Sequence, residues 1–376
     1  MPEEQDPRVP TRDEIEEAAN RIAPFVRRTP VVALEPGAFR VPGRLVLELE
    51  QLQHTGSFKV RGAFNRLLRA EVGPAGVVAA SGGNHGLAVA HAARVLGYGA
   101  EIFVPETSPA AKVDRIRALG ATVRVVPGYY AQALAASEER VRETGALAVH
   151  AYDQPEVVAG QGTLGWQLSQ QVPGLDTVLV AVGGGGLIAG IASWFRGDVR
   201  VVGVEPEGCP TLTRALEAGR PVDVEVGGLA ADSLGAARAG RIALAAAERF
   251  VDHVVLVPDE AIVRAQRELW STARVVAEPG AAAPLAALLS GRYVPGGEER
   301  VALVVSGANT DPAAVASAAA GLSAAGEGLL PFAVERPEVV GDRRQVPPTT
   351  PADGPSEREG GRGGAERAEP DATTPS

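Results

Sequence analysis

The sequence contains one cysteine, Cys209, and few aromatic residues, 4% of 376. A lone thiol excludes an internal disulfide framework and cannot by itself make a cysteine-ligated zinc site. It reads as a small buried hydrophobe before it reads as a nucleophile. No apolar stretch reaches the roughly 18 residues of a membrane-spanning helix, because glycine, proline or charge cuts the richest segments. The opening, MPEEQDPRVPTRDEIEEAAN, is acidic and polar where a secretory leader is basic and then apolar. Positive charge is also short: 36 Lys and Arg against 46 Asp and Glu give a net charge of −10. That balance disfavours an electrostatic binder of nucleic acid. The composition points to a cytoplasmic enzyme acting on a small molecule, and leaves open whether it is a homo-oligomer.

What is plentiful is apolar content, 45% of the chain, with 45 glycines and 29 prolines. A chain of this size buries a full core and ordinarily divides into two domains. Residues 11–26 predict a surface helix: Thr11 can cap it, Glu14 closes a capping box, and Ile15, Ala18, Ala19 and Ile22 form one apolar face, with Pro24 kinking or ending it. RLVLELE (44–50) alternates like a strand, with Leu45, Leu47 and Leu49 on one face. VVAA (77–80), EIFVP (101–105) and TVRVV (122–126) read as strands. Helices fill 84–96, ending at Gly97, and 109–119, stopped by Gly120. That βαβαβ order demands right-handed crossovers and a parallel sheet. A second series follows in TVLVAV (177–182), GLIAGIASWF (186–195), RVVGVEP (200–206) and VALVVSG (301–307). Two α/β units in one chain imply two domains with a ligand cleft between them. From about residue 331 proline, glycine and charge dominate, so 331–376 is expected to be a disordered tail.

Four segments carry candidate chemistry. In HTGSFKVRGAFN (54–65), Lys59 stands where a helix can start, a place whose dipole disfavours a cation. It is either an ordinary exposed lysine or one with a lowered pKa or a covalent partner such as an aldehyde. In VVAASGGNHGLAVA (77–90) a strand turns through Ser81, Gly82, Gly83, Asn84 and His85 into a helix, a suitable anion site or a simple capped turn. VLVAVGGGGLIAGI (178–191) sets Gly183, Gly184, Gly185 and Gly186 between strand and helix, so that the backbone can approach a phosphate. It matches neither GxxxxGK[ST] nor a good GxGxxG, although a nucleotide loop competes. VALVVSGANTDP (301–312) ends a strand at Ser306, at the carboxyl edge where open α/β sheets bind ligands; a plain turn residue is an equal reading.

In this order the segments resemble the threonine/serine dehydratase family of fold-type II pyridoxal-phosphate enzymes, with a tryptophan synthase β-like fold. The resemblance spans roughly 28–320. It takes in RTPV (28–31), ELEQLQHTGSFKVRGAFN (48–65), AASGGNHGLAVAHAARVLG (79–97), VGGGGLIAG (182–190), AEPGAAAPLAAL (277–288) and VSGANTD (305–311). It implies two three-layer α/β domains with mostly parallel sheets and the cofactor in the cleft between them. Residues 1–72 with 151–325 would form the large cofactor-binding domain, and 73–150 the small substrate-loop domain. It implies that Lys59 carries pyridoxal 5'-phosphate and is the catalytic base, with Phe58 packed near the ring. Asn84 would bind the 3′-oxygen, the backbone of Gly183, Gly184, Gly185, Gly186 and Leu187 the phosphate, and Ser306 the ring nitrogen. Ser81, Gly82, Gly83, Asn84 and His85 would receive the substrate carboxylate, and Ser233 would border the substrate pocket.

The implied activity is an ammonia-lyase that converts L-threonine, L-serine or both to 2-oxobutanoate or pyruvate and ammonia. Serine racemases similar to it carry a serine where this chain has Gly82, so racemisation is expected to be poor. Some relatives bind a cation beside a stretch like GVEPEGCPT (203–211), but Thr211 stands where a second carboxylate would be, and no metal site is expected. The rivals are a same-fold racemase or β-replacement synthase, the latter disfavoured by KVRGA (59–63), and a non-catalytic nucleotide-binding protein, which leaves Lys59 and Ser306 unexplained.

Overall fold

Strands and helices alternate along the chain to build two separate sheets in a computed structural model that describes residues 7–108, 110–313 and 315. The tail expected over 331–376 lies outside the described residues. The first helix, α1 (Arg12–Ile22), is capped by Thr11 and Glu14 as its sequence predicts, and it ends before Pro24, whose ring cannot donate a hydrogen bond. β1 (Val31–Ala33), β2 (Arg44–Glu48) and α2 (Lys59–Arg69) follow. The middle of the chain runs β3 (Val77–Ala80), α3 (Asn84–Leu96), β4 (Ala100–Pro105), α4 (Ala110–Ala118), β5 (Thr122–Val126), α5 (Tyr130–Thr144) and β6 (Leu147–Ala148). The rest comprises α6 (Pro155–Gln171), β7 (Thr177–Ala181), α7 (Gly186–Phe195), β8 (Arg200–Pro206), α8 (Thr211–Ala218) and the short α9 (Ala231–Leu234). After these come α10 (Arg241–Phe250), β9 (His253–Val257), α11 (Asp259–Ala273), α12 (Pro279–Leu289) and β10 (Arg300–Val304).

The larger sheet has the order β1-β2-β10-β7-β8-β9 and the smaller β5-β4-β3-β6. Every pairing is parallel except the edge pair β1–β2. β2 is a strand as its alternation predicts, and from Leu45 to Glu48 both of its faces are buried. Leu45 and Leu47 join a core with Leu285 of α12, while Val46 joins the opposite core with Leu164 of α6 and Ile188 of α7. Helices on both faces leave a parallel strand no wet side.

Helix α6 brings the key elements close together. A Cβ at Gly160 would stand 2.7 Å from the Arg61 carbonyl of α2, and one at Gly190 of α7 would stand 2.4 Å from the Gly162 nitrogen. Such seams allow backbone-to-backbone approach only where side chains are missing. The start of α2 is anchored further by Arg61, which donates to both carboxylate oxygens of buried Glu50 at 2.9 Å and to Gln167 of α6 at 3.0 Å.

Candidate active site

Lys59 opens α2, and the preceding residue is tied to the end of β10: the Phe58 N–H donates to the Ser306 carbonyl at 3.1 Å. The Lys59 amine donates to the Ala151 carbonyl at 2.9 Å and lies 5.0 Å from the centre of the Phe58 ring. Burial lowers its pKa to about 8, against the opposing pull of the Glu278 carboxylate. The amine is therefore much closer to its neutral, nucleophilic form than an exposed lysine would be.

Across the same cavity runs the glycine loop between β7 and α7. Gly185 takes φ +89°, a conformation that favours glycine, and becomes the N-cap of α7. A Cβ at Gly184 would lie 2.4 Å from the Tyr152 ring, and one at Gly185 would lie 2.4 Å from Ala243 Cβ. None of the backbone N–H groups of 183–188 has an acceptor among the described residues. Unpaired donors at a helix start form an anion cradle.

Phe58, Lys59, Asn84, Gly183, Gly184, Gly185, Gly186, Leu187, Ser233 and Ser306 all line this one cavity. Ser306 is buried and its hydroxyl has no partner among the described residues. Ser233 Oγ accepts from the Gly280 N–H at 3.1 Å and so ties α9 to the start of α12. Ser81, Gly82, Gly83 and His85 are not among the lining residues. They form the adjoining turn into α3, where the Ser81 hydroxyl accepts from the Gly83 N–H at 3.1 Å. The His85 ring is buried and bonds the Val149 carbonyl at 2.8 Å, and burial pushes its pKa down to about 3. Only its main chain is left for a ligand. A Cβ at Gly82 would collide with Ser108, 2.2 Å from Oγ and 2.8 Å from Cβ.

Two polar residues to which the sequence alone assigns no role also line it, Tyr152 and Glu278, beside the apolar Ala181 and Leu234. Glu278 is buried, accepts from Asn84 Nδ2 at 2.6 Å, and has its pKa pushed up to about 7 by burial. Its signal was a single carboxylate in the otherwise apolar run AEPGAAAPLAAL, where a charge is costly unless it is used. Asn309 Nδ2 donates to Asn84 Oδ1 at 2.6 Å. Glu205, by contrast, spends its carboxylate capping α8, accepting from Leu212 N–H at 2.6 Å and from Thr213 N–H and Oγ1 at 2.9 and 2.7 Å.

Comparison with known proteins identifies the family. Residues 22–307 match the family model described as pyridoxal-phosphate dependent enzyme. An L-threonine ammonia-lyase of Thermotoga maritima is 37% identical over 306 residues, 80% of this chain and 76% of its own. Among solved structures, a maize serine racemase superposes with a TM-score of 0.78 at 32% identity, covering 85% of this chain and 99% of that one. A threonine deaminase from T.th. superposes with a TM-score of 0.75 at 38% identity, covering 80% and 99%. With three quarters of its length inside the family model and a buried lysine facing an anion cradle, the chain belongs to the pyridoxal-phosphate dependent enzyme family.

Proposed function

We propose that this chain is an ammonia-lyase that takes L-threonine, L-serine or both to 2-oxobutanoate or pyruvate and ammonia. The observation that carries the reading is the Lys59 amine, with its pKa at about 8, in one cavity with the unpaired N–H groups of the glycine loop. The name of the Thermotoga maritima relative supports the same reaction.

Pyridoxal phosphate fits the donor set. There is an amine for its aldehyde, a cradle of N–H groups for its phosphate, a free hydroxyl at Ser306 for its ring nitrogen, and the Asn84 amide for its 3′-oxygen. When bound, it supplies a ring that withdraws electrons from the substrate's α-carbon. Lys59 would hold the cofactor's aldehyde and, as a free amine, would take the α-proton, a base matched to neutral pH by its lowered pKa. The N–H groups of Asn84, His85 and Gly86, at the start of α3, have no backbone acceptor among the described residues and would orient the substrate carboxylate. Ser306 would offer the ring nitrogen a neutral hydroxyl, a partner that does not demand a protonated ring. The released enamine hydrolyses in water to the 2-oxo acid and ammonia.

The likeness to a serine racemase favours a second reading, racemisation. Against it stands Gly82, which brings no proton donor, with the space beside it held by Ser108. The two sheets draw their strands from the ranges expected of two domains, which supports 1–72 with 151–325 as the large domain and 73–150 as the small one. No helix of the described residues is long and apolar enough to cross a membrane, and we place the enzyme in the cytoplasm. Release of 2-oxo acid across a panel of β-hydroxy amino acids tests the proposal. Cofactor-loaded protein that releases none from any of them would overturn it.

A further inference from the structure

The side-chain amide of Asn84 has a donating end and an accepting end, and which one faces the cavity decides what the site offers a ligand. Oxygen and nitrogen are told apart here by the neighbours. Arg115, on α4, has only donors, and its guanidinium gives a hydrogen bond to Asn309 Oδ1 at 2.8 Å. The Thr55 carbonyl can only accept, and it takes one from Asn309 Nδ2 at 2.9 Å. Asn309 is thus pinned at both ends, and its remaining N–H meets Asn84 Oδ1 at 2.6 Å. Glu278 Oε1 then accepts from Asn84 Nδ2, also at 2.6 Å. Asn309 is buried, as is Glu278, so solvent cannot easily substitute for either partner.

We propose that Asn309 is a positioning residue that locks the Asn84 amide so that its second N–H points into the cavity as a donor. The inference rests on the reading above that this cavity takes pyridoxal phosphate, whose 3′-oxygen is the acceptor that such a donor suits. Arg115 belongs to the part of the chain that builds the smaller sheet, while Asn309 follows β10 of the larger one. The lock therefore forms only when these two parts are together, and the donor is aimed by contacts that run between them.

A paired substitution tests this without altering net charge. Glu278→Gln with Asn309→Asp moves one carboxylate from one side of Asn84 to the other. The carboxylate introduced at position 309 can keep the bond from Arg115 but can only accept. Asn84 must then turn its NH2 toward that carboxylate and its oxygen toward the amide introduced at position 278, which can donate. Apart from the bond to Thr55, every link survives, the one from Arg115 unchanged and the two to Asn84 with their polarity reversed, and Asn84 no longer offers an N–H from the same end. The measurements are cofactor affinity by reconstitution of the stripped protein, the pH midpoint of the visible band of the bound cofactor, and melting temperature. We expect a melting temperature close to the parent's, a roughly 10–100-fold weaker affinity, the worth of one hydrogen bond to an ionised oxygen, and a displaced band midpoint.

Unchanged affinity and an unchanged band in the swapped protein would overturn the proposal. So would a loss of affinity in Asn309→Asp alone that the swap restores in full, since that pattern marks a merely structural asparagine. If the swapped protein does not fold, Asn309→Ala decides: a weaker affinity with a displaced band supports the lock, and parent behaviour overturns it. Failure of the parent protein to bind the cofactor at all would instead refute the functional reading, which keeps the two failures apart.

Discussion

Replacing Lys59 by methionine should remove turnover and at the same time make the cofactor-free protein more stable. The amine is held at a pKa of about 8 against an ordinary value of 10.5. At 1.36 kcal/mol per pKa unit, that difference corresponds to about 3 kcal/mol of strain on the native state. A lysine whose folded pKa is lowered costs the fold its full penalty below the folded value. The cost fades as pH rises from about 8 towards 10.5, where both states become neutral. Methionine has a similar reach and no charge to desolvate. It does leave the Ala151 carbonyl without the Lys59 donor, a loss of about 1 kcal/mol. The net expectation is a gain of about 2 kcal/mol at pH 7 that dwindles towards nothing by about pH 10. Urea unfolding of the stripped parent and of Lys59→Met at the two pH values measures it. A variant less stable than its parent at pH 7, or a difference that ignores pH, would refute the reasoning.

Other outcomes follow from the same site. Gly185→Ala should cost about 2–5 kcal/mol, combining left-handed backbone strain with overpacking against Ala243, and should weaken cofactor binding in a reconstitution titration. Gly184→Val should reduce cofactor retention severely by driving a side chain into the Tyr152 ring, which dialysis followed by absorbance will show. Gly82→Ser alone should form little D-serine, because its Cβ meets Ser108, whereas Gly82→Ser with Ser108→Gly makes the space. Chiral analysis of serine should show racemisation rising only in the double variant, by up to roughly 10²–10⁴-fold relative to elimination. Truncation after Gly328 should leave turnover and melting temperature unchanged, since what it removes is rich in proline, glycine and charge.

The run from β3 to β5 was legible almost to the residue because short apolar runs there are separated by glycines that stop helices, as Gly97 does in a left-handed C-cap. Helix α12 was not. Proline, glycine, alanine and leucine make it apolar all round, so a buried helix of this kind leaves no periodic stripe to read. The glycine loop announced itself by lying between a strand and a helix. Tyr152, Glu278 and Asn309 did not, because each acquires its role only from partners more than thirty residues away along the chain. His85 shows the opposite limit: its place in a chemically suggestive motif said nothing of its ring turning to the Val149 carbonyl.

Helix α6 acts as a gauge block for the chemistry. Helix α2, with Lys59 at its tip, rests on it at Gly160, and α7, with the anion cradle at its tip, rests on it at Gly162 through Gly190. A rigid cofactor has a fixed length between its aldehyde and its phosphate, and this helix sets the span that must match it. One methyl group added at either seam would change that span while every residue that touches the ligand stayed the same. Because a misplacement of about 1 Å can cost on the order of 100-fold in rate, two glycines of α6, remote from the reaction, hold its tolerance.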